Sequence, residues 1–206
     1  TLNDREKLAA HYFNMLMDEA SWEEAYMRAD LLIALNEQSP NLPESPLFSS
    51  DGFTNTRNMI VIGDGLIQIL SETGIDPKIV WTGTLAHEWT HQIQIDHAEE
   101  WYNGTASDLG RPLHVIEMEA DFFAAYYMTH KRGATYNWKR AEQFFNLFFQ
   151  IGDCSFASTG HHGTPLQRLD AARLGYELAQ SEQKQGHILS AQELHDFFMA
   201  NVDSLL

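Results

Sequence analysis

Residues 87–91 read His-Glu-Trp-Thr-His, and they constrain this chain more than any other segment. His87 and His91 are four apart, so a helix stacks both imidazoles on one face, where two nitrogens can bind one metal ion. Glu88 leaves the same turn at another angle, close enough to take a proton from a metal-activated water without ligating the metal. With ten His in 206 residues, chance HExxH matches number only ~0.04, yet five residues need context. Upstream, Asp76 suits an N-cap and Pro77 the first helical position. Ile79, Val80, Gly83, Ala86, His87, Thr90, His91 and Gln94 then share one helical stripe, so the histidines continue a face that is to be buried.

A catalytic zinc site needs a third protein ligand, and residues 116–127 (IEMEADFFAAYY) offer one. Glu117 and Asp121 are again four apart on one face, which lets Glu117 bind the ion while Asp121 accepts a hydrogen bond from the outer nitrogen of a ligand histidine. Glu119 is read as pointing elsewhere. Two carboxylates on an otherwise apolar helix are costly to bury unless a cation or donor compensates them.

HEWTH followed by Glu117-Met118-Glu119-Ala120-Asp121 resembles the gluzincin zinc metallopeptidases, most of all the HtpX and CAAX-prenyl-protease type and the neutral zinc metallopeptidases. Two further segments carry the resemblance, His162-Gly163-Thr164-Pro165-Leu166-Gln167-Arg168 and residues 58–66, so that it spans roughly residues 52 to 175. It implies a zincin-like minimal metallopeptidase domain, one Zn²⁺ held by His87, His91 and Glu117, Glu88 as general base, and His162 as donor to the oxyanion of the attacked carbonyl. A loop histidine that supports the next helix start is the alternative for His162. Arg168 can orient Asp121 or another acid, or bind a substrate carboxylate, and Tyr126 or Tyr127 is a further candidate donor. The resemblance also implies that residues 59–62 align an extended peptide by strand addition.

The expected activity is therefore hydrolysis of peptide bonds through a zinc-activated water, with endopeptidase action on a peptide or protein substrate. Two other classes stay open: a zinc-binding adaptor without catalysis, and a non-metal helical binding module that presents the aromatic run at 144–149 to a partner. Helical spacing favours core for that run.

Composition fits one domain over residues 1–206, with N-terminal helices (1–50) packed on a core (52–206). With 13 Lys and Arg against 29 Asp and Glu, the net charge of −16 argues against nucleic acid as a partner. No apolar run approaches the ~18–20 residues of a membrane span. The single cysteine, Cys154, allows no internal disulfide or cysteine-rich zinc site. The chain begins at Thr1 without a visible signal peptide, and a periplasmic or secreted location is slightly favoured over a cytoplasmic one.

The expected fold is α+β and predominantly helical. Helices are placed after Asp4, from Ser21 to near Asn36, and at 64–72, 77–95, 112–130, 137–151, 164–181 and 190–204. Residues 59–62 form the best strand, with a second near Phe53, and 39–51 read as a loop. The stretch 92–116 is expected to run over the surface near the cleft. His97 is read as a surface residue or a support to the site rather than a ligand, and His11, His114, His130, His187 and His195 show no partner pattern.

Overall fold

The fold is described from a computed structural model, for residues 4–15, 21–38, 52–105, 108–151, 162–184 and 187–206. Cys154, His161 and the expected loop at 39–51 lie outside the described residues. The elements are α1 (Arg5–Met15), α2 (Trp22–Gln38), β1 (Gly52–Asn55), β2 (Met59–Ile62), α3 (Asp64–Glu72), α4 (Pro77–Asp96), α5 (Ala98–Tyr102), α6 (Leu113–Thr129), α7 (Trp138–Ile151), α8 (Pro165–Lys184) and α9 (Ala191–Asn201), closed by a 3-10 turn, Val202–Ser204. The chain is thus mainly helical with a small antiparallel sheet, as an α+β reading requires. No helix among the described residues is long and apolar enough to cross a membrane.

Helix α6 sits at the centre because apolar residues occur on every side of it, and a helix of that kind is stable only when neighbours cover its whole circumference. All of its residues are buried except Leu113, His114 and Tyr127. On one side Met118, Phe122 and Phe123 meet Trp101 of α5, Leu178 of α8 and Phe198 of α9. On the other, Ala124, Ala125 and Met128 meet Ile79 and Val80 of α4 and Phe144 and Phe145 of α7. Phe144 and Phe145 are therefore core, which removes this pair from the partner surface of the binding-module reading.

The helix boundaries follow local chemistry. Asp76 caps α4 by accepting from the Lys78 amide at 2.9 Å, and Pro77 occupies the first turn. Ser190 and Glu193 form a reciprocal capping box at α9. Thr164 and Gln167 do the same at α8, with bonds of 3.1 and 2.9 Å. The hairpin turns through Asn58, whose φ of 56° is a left-handed conformation that asparagine tolerates, and Gly52 pairs with Ile62.

One feature departs from expectation. Residues 92–96 complete α4, and α5 then turns Ala98, Trp101 and Tyr102 into the core, so only the stretch after Tyr102 runs over the surface. Two aromatics within five residues supply enough apolar area to hold that short helix down, a contribution that polar neighbours mask in a periodicity search. Helices α1 and α2 form a small apolar cluster of their own around Ala9, Ala25 and Ala29. They meet the hairpin where His11 lies edge-on to Phe53 and the Arg57 guanidinium lies 4.6 Å from the Phe13 ring centroid.

Helices α6 and α8 approach so closely that a Cβ on Gly175 would overlap the carbonyl oxygen of Phe122. Helix propensity alone would make Gly175→Ala stabilising by ~0.8–1.0 kcal/mol. A clash with backbone, which cannot rotate away, is expected to reverse that sign and lower stability by ~1–3 kcal/mol. Thermal unfolding of the variant checks this, and a raised Tm would mean that the two helices are not in such contact.

Candidate metal centre

Helix α4 brings His87 and His91 to the face that packs on α6, and α6 brings Glu117 to meet them. Nε2 of His87 and Nε2 of His91 lie 3.1 Å apart. Glu117 places one carboxylate oxygen 3.3 Å from His87 Nε2 and the other 3.6 Å from His91 Nε2. These three residues form a buried group able to hold a metal ion.

The outer nitrogens explain why the inner ones converge. His87 Nδ1 is 3.0 Å from Asp121 Oδ1, and a carboxylate only accepts, so Nδ1 carries the proton. His91 Nδ1 is 2.8 Å from the amide oxygen of Gln94 and is a donor for the same reason. Both Nε2 lone pairs then point at each other and at Glu117, an arrangement that repels itself unless something positive sits among them.

Burial would lower the basicity of His87, but the carboxylates of Asp121 and Glu117 outweigh it and raise the pKa from 6.5 to about 10. Glu117 responds in kind: burial opposes its ionisation, yet His91, His162 and His87 hold its carboxyl well below the usual range. Asp121 is also lowered, against its burial, chiefly by Arg168 and His87.

Arg168 contacts two of the buried acids. Its Nε and Nη2 grip Asp121 at 2.6 and 3.0 Å, and Nη2 lies 3.3 Å from Glu117. The guanidinium is buried against the acid that lies behind His87, an arrangement able to fix that acid in place. It reaches there because Gly163, at a φ of 92°, turns the chain sharply into the start of α8.

His162, on the same turn, is half exposed and places Nδ1 3.3 Å from Glu117 Oε1, at the open side of the group. Glu88 is buried beside β1, where the Thr54 hydroxyl donates to its carbonyl at 2.7 Å and stands 3.2 Å from its carboxylate. A Cβ on Gly52 would come within 3.2 Å of Glu88 Oε1, so glycine there leaves the carboxylate room. It is β1, therefore, that touches Glu88, whereas the sequence placed the substrate-aligning strand at 59–62.

Glu119 points away from the metal group, as its spacing implied, and is fully buried and bonded to Gln94, Tyr102 and His195. Gln94 was visible as a polar residue on the buried stripe, while Glu119 and His195 are 76 residues apart and share no local pattern. Tyr126 and Tyr127 instead line a groove of about 660 Å³ with Trp81, Trp89 and Ile93, none of the metal group among its walls. His97 ends α4 and stacks on Trp101, in agreement with its exclusion as a ligand.

No protein-family model matches this chain, and comparison with curated proteins and with solved structures finds no significant match.

A cation entering the site has to displace the proton held on His87, which stays bound below a pH of about 10. Lowering the pH therefore strengthens the competitor and weakens the metal. Loading near neutral pH is expected to release about one proton from His87 and to tighten about tenfold per pH unit. Calorimetry in buffers of different ionisation enthalpy measures this; affinity independent of pH near neutrality would remove His87 from the site.

Proposed function

We propose that this chain is a zinc-dependent peptidase of the gluzincin type, with His87, His91 and Glu117 as ligands of one zinc ion. The observation that carries the reading is the convergence of three donor groups, with the two Nε2 atoms 3.1 Å apart and the two oxygens of Glu117 3.3 Å from His87 Nε2 and 3.6 Å from His91 Nε2. Donors at ~2.0–2.1 Å in tetrahedral geometry are about 3.3–3.4 Å apart, so each of these separations is close to that of two ligands of one ion. The donor chemistry fits as well, since two neutral imidazoles and a carboxylate make the His₂Glu set of catalytic zinc sites. An adaptor that uses zinc as a staple would close the site with a fourth protein ligand. Among the described residues the group has three, and the half-exposed His162 lies outside it.

When bound, zinc supplies a Lewis acid that polarises the scissile carbonyl and acidifies a water. The chain's own residues do the rest. Glu88 takes the proton of the attacking water and returns it to the leaving amine nitrogen, and Thr54 holds it for that task through its hydroxyl. His162 stands at the exposed side of the ligand carboxylate, where an N–H can meet a developing oxyanion. Asp121, fixed by Arg168, keeps the His87 ring turned with its lone pair inward. An extended substrate can add as a further strand to the hairpin, and the contacts of Thr54 and Gly52 with Glu88 favour the β1 side.

Glu88→Gln keeps the shape of the side chain and removes its basicity. It is expected to retain metal and lose ~10²–10⁴ in turnover of an unstructured protein substrate. Turnover at the wild-type rate would end the general-base assignment.

His162→Ala separates two roles for a residue that touches a ligand. As an oxyanion donor it acts only in the transition state, so kcat is expected to fall by ~10²–10³ with KM and zinc content little changed. Loss of zinc with a modest change in kcat would show instead that His162 serves to orient Glu117.

A further inference from the structure

His87 has a carboxylate directly behind it, whereas His91 has the neutral side chain of Gln94. We propose that Gln94, Glu119 and His195 form a positioning chain that fixes the ring and tautomer of His91, so that helix α9 helps to set the metal affinity. The proposal rests on the metal-binding half of the reading above and not on peptidase activity.

The Gln94 amide is fully buried, and its orientation is dictated by its surroundings. Its nitrogen has two hydrogens and two acceptors, the Ile116 carbonyl at 3.0 Å and Glu119 Oε2 at 2.9 Å. A flipped amide would set its oxygen against a carbonyl and a carboxylate, so the oxygen must face His91 Nδ1. An acceptor at that position keeps the proton on Nδ1 and the lone pair on Nε2, directed at His87 and Glu117.

Glu119 is the residue that imposes this orientation, and three donors converge on its carboxylate: Gln94, the Tyr102 hydroxyl, and Nδ1 of His195 at 2.7 Å. His195 is buried in α9 and stacks on Trp101 with ring centroids 4.3 Å apart and planes 11° from parallel. Trp101 is itself anchored to α9 by donating to Gln192 at 2.6 Å. A run of directed bonds thus leads from α9 to a ligand nitrogen. For core stability alone, an apolar residue at position 119 would avoid burying a carboxylate that needs three donors.

The test is a double-mutant cycle in zinc affinity, measured by competition with a chromophoric chelator, with circular dichroism as the check on folding. Gln94→Leu is expected to weaken affinity by ~10–100-fold. His195→Phe keeps the stack on Trp101, removes the donor, and is expected to weaken affinity by ~3–10-fold although its ring touches no ligand. His195→Asn, which places an amide N–H where Nδ1 stood, is expected to restore most of it. The double variant Gln94→Leu/His195→Phe should bind no more weakly than Gln94→Leu, because His195 acts through Gln94. Should His195→Phe not fold, Tyr102→Phe removes another donor to Glu119 and enters the same cycle. Wild-type affinity in the single variants, or losses that add, would overturn the chain of bonds while leaving the metal site intact. Failure of the wild-type protein to bind zinc would remove the metal reading and this proposal together.

Discussion

Helix α6 takes three carboxylates, Glu117, Glu119 and Asp121, into the interior, and the surrounding architecture has to compensate each of them. Asp121 is matched by the Arg168 fork from α8 and by His87 from α4. Glu119 is matched by Gln94, Tyr102 and His195, from α4, α5 and α9. Glu117 faces Nε2 of His87 and of His91, Nδ1 of His162 and one edge of Arg168, a position that could hold a cation. The helices that cover α6 for hydrophobic reasons are the same helices that bring these partners, so fold and site have a common origin. The close approach at Gly175 belongs to this arrangement, since α8 must lie hard against α6 for Arg168 to reach Asp121.

The two ligand histidines are supported unequally. Asp121 bonds His87 with a charged acceptor backed by a guanidinium, whereas Gln94 offers His91 a neutral one. Charge-assisted bonds are about twice as strong as neutral ones, so His87 is the more firmly oriented of the two histidines. The raised pKa of His87 is the same asymmetry seen from the side of the proton, and it makes metal and proton direct competitors for that nitrogen.

What could be read in the sequence was what local spacing encodes. The Asp76-Pro77 start, the His87 and His91 pair, the Glu117 and Asp121 pair and the Thr164-Pro165 start each lie within one or two helical turns, and the structure sets them as their spacing requires. The same logic went only part of the way for Glu119: its helical angle says that it leaves the metal face, which it does, but not that Tyr102 and His195 wait on the other side. It failed for Arg168 in a milder way: the residue was singled out, but only a contact across 47 positions shows which acid it holds. Thr54 escaped notice for the same reason, as nothing near residue 54 signals a carboxylate 34 positions ahead. Helix α5 was hidden by the polar residues that follow it.

The central claim is that α4 and α6 close on one metal ion, and anomalous diffraction from crystals grown with zinc tests it most directly. The account predicts one strong peak at the zinc edge, ~2.0–2.2 Å from Nε2 of His87, Nε2 of His91 and a carboxylate oxygen of Glu117. A peak elsewhere on the molecule, or none at zinc concentrations that saturate ordinary catalytic sites, would contradict it.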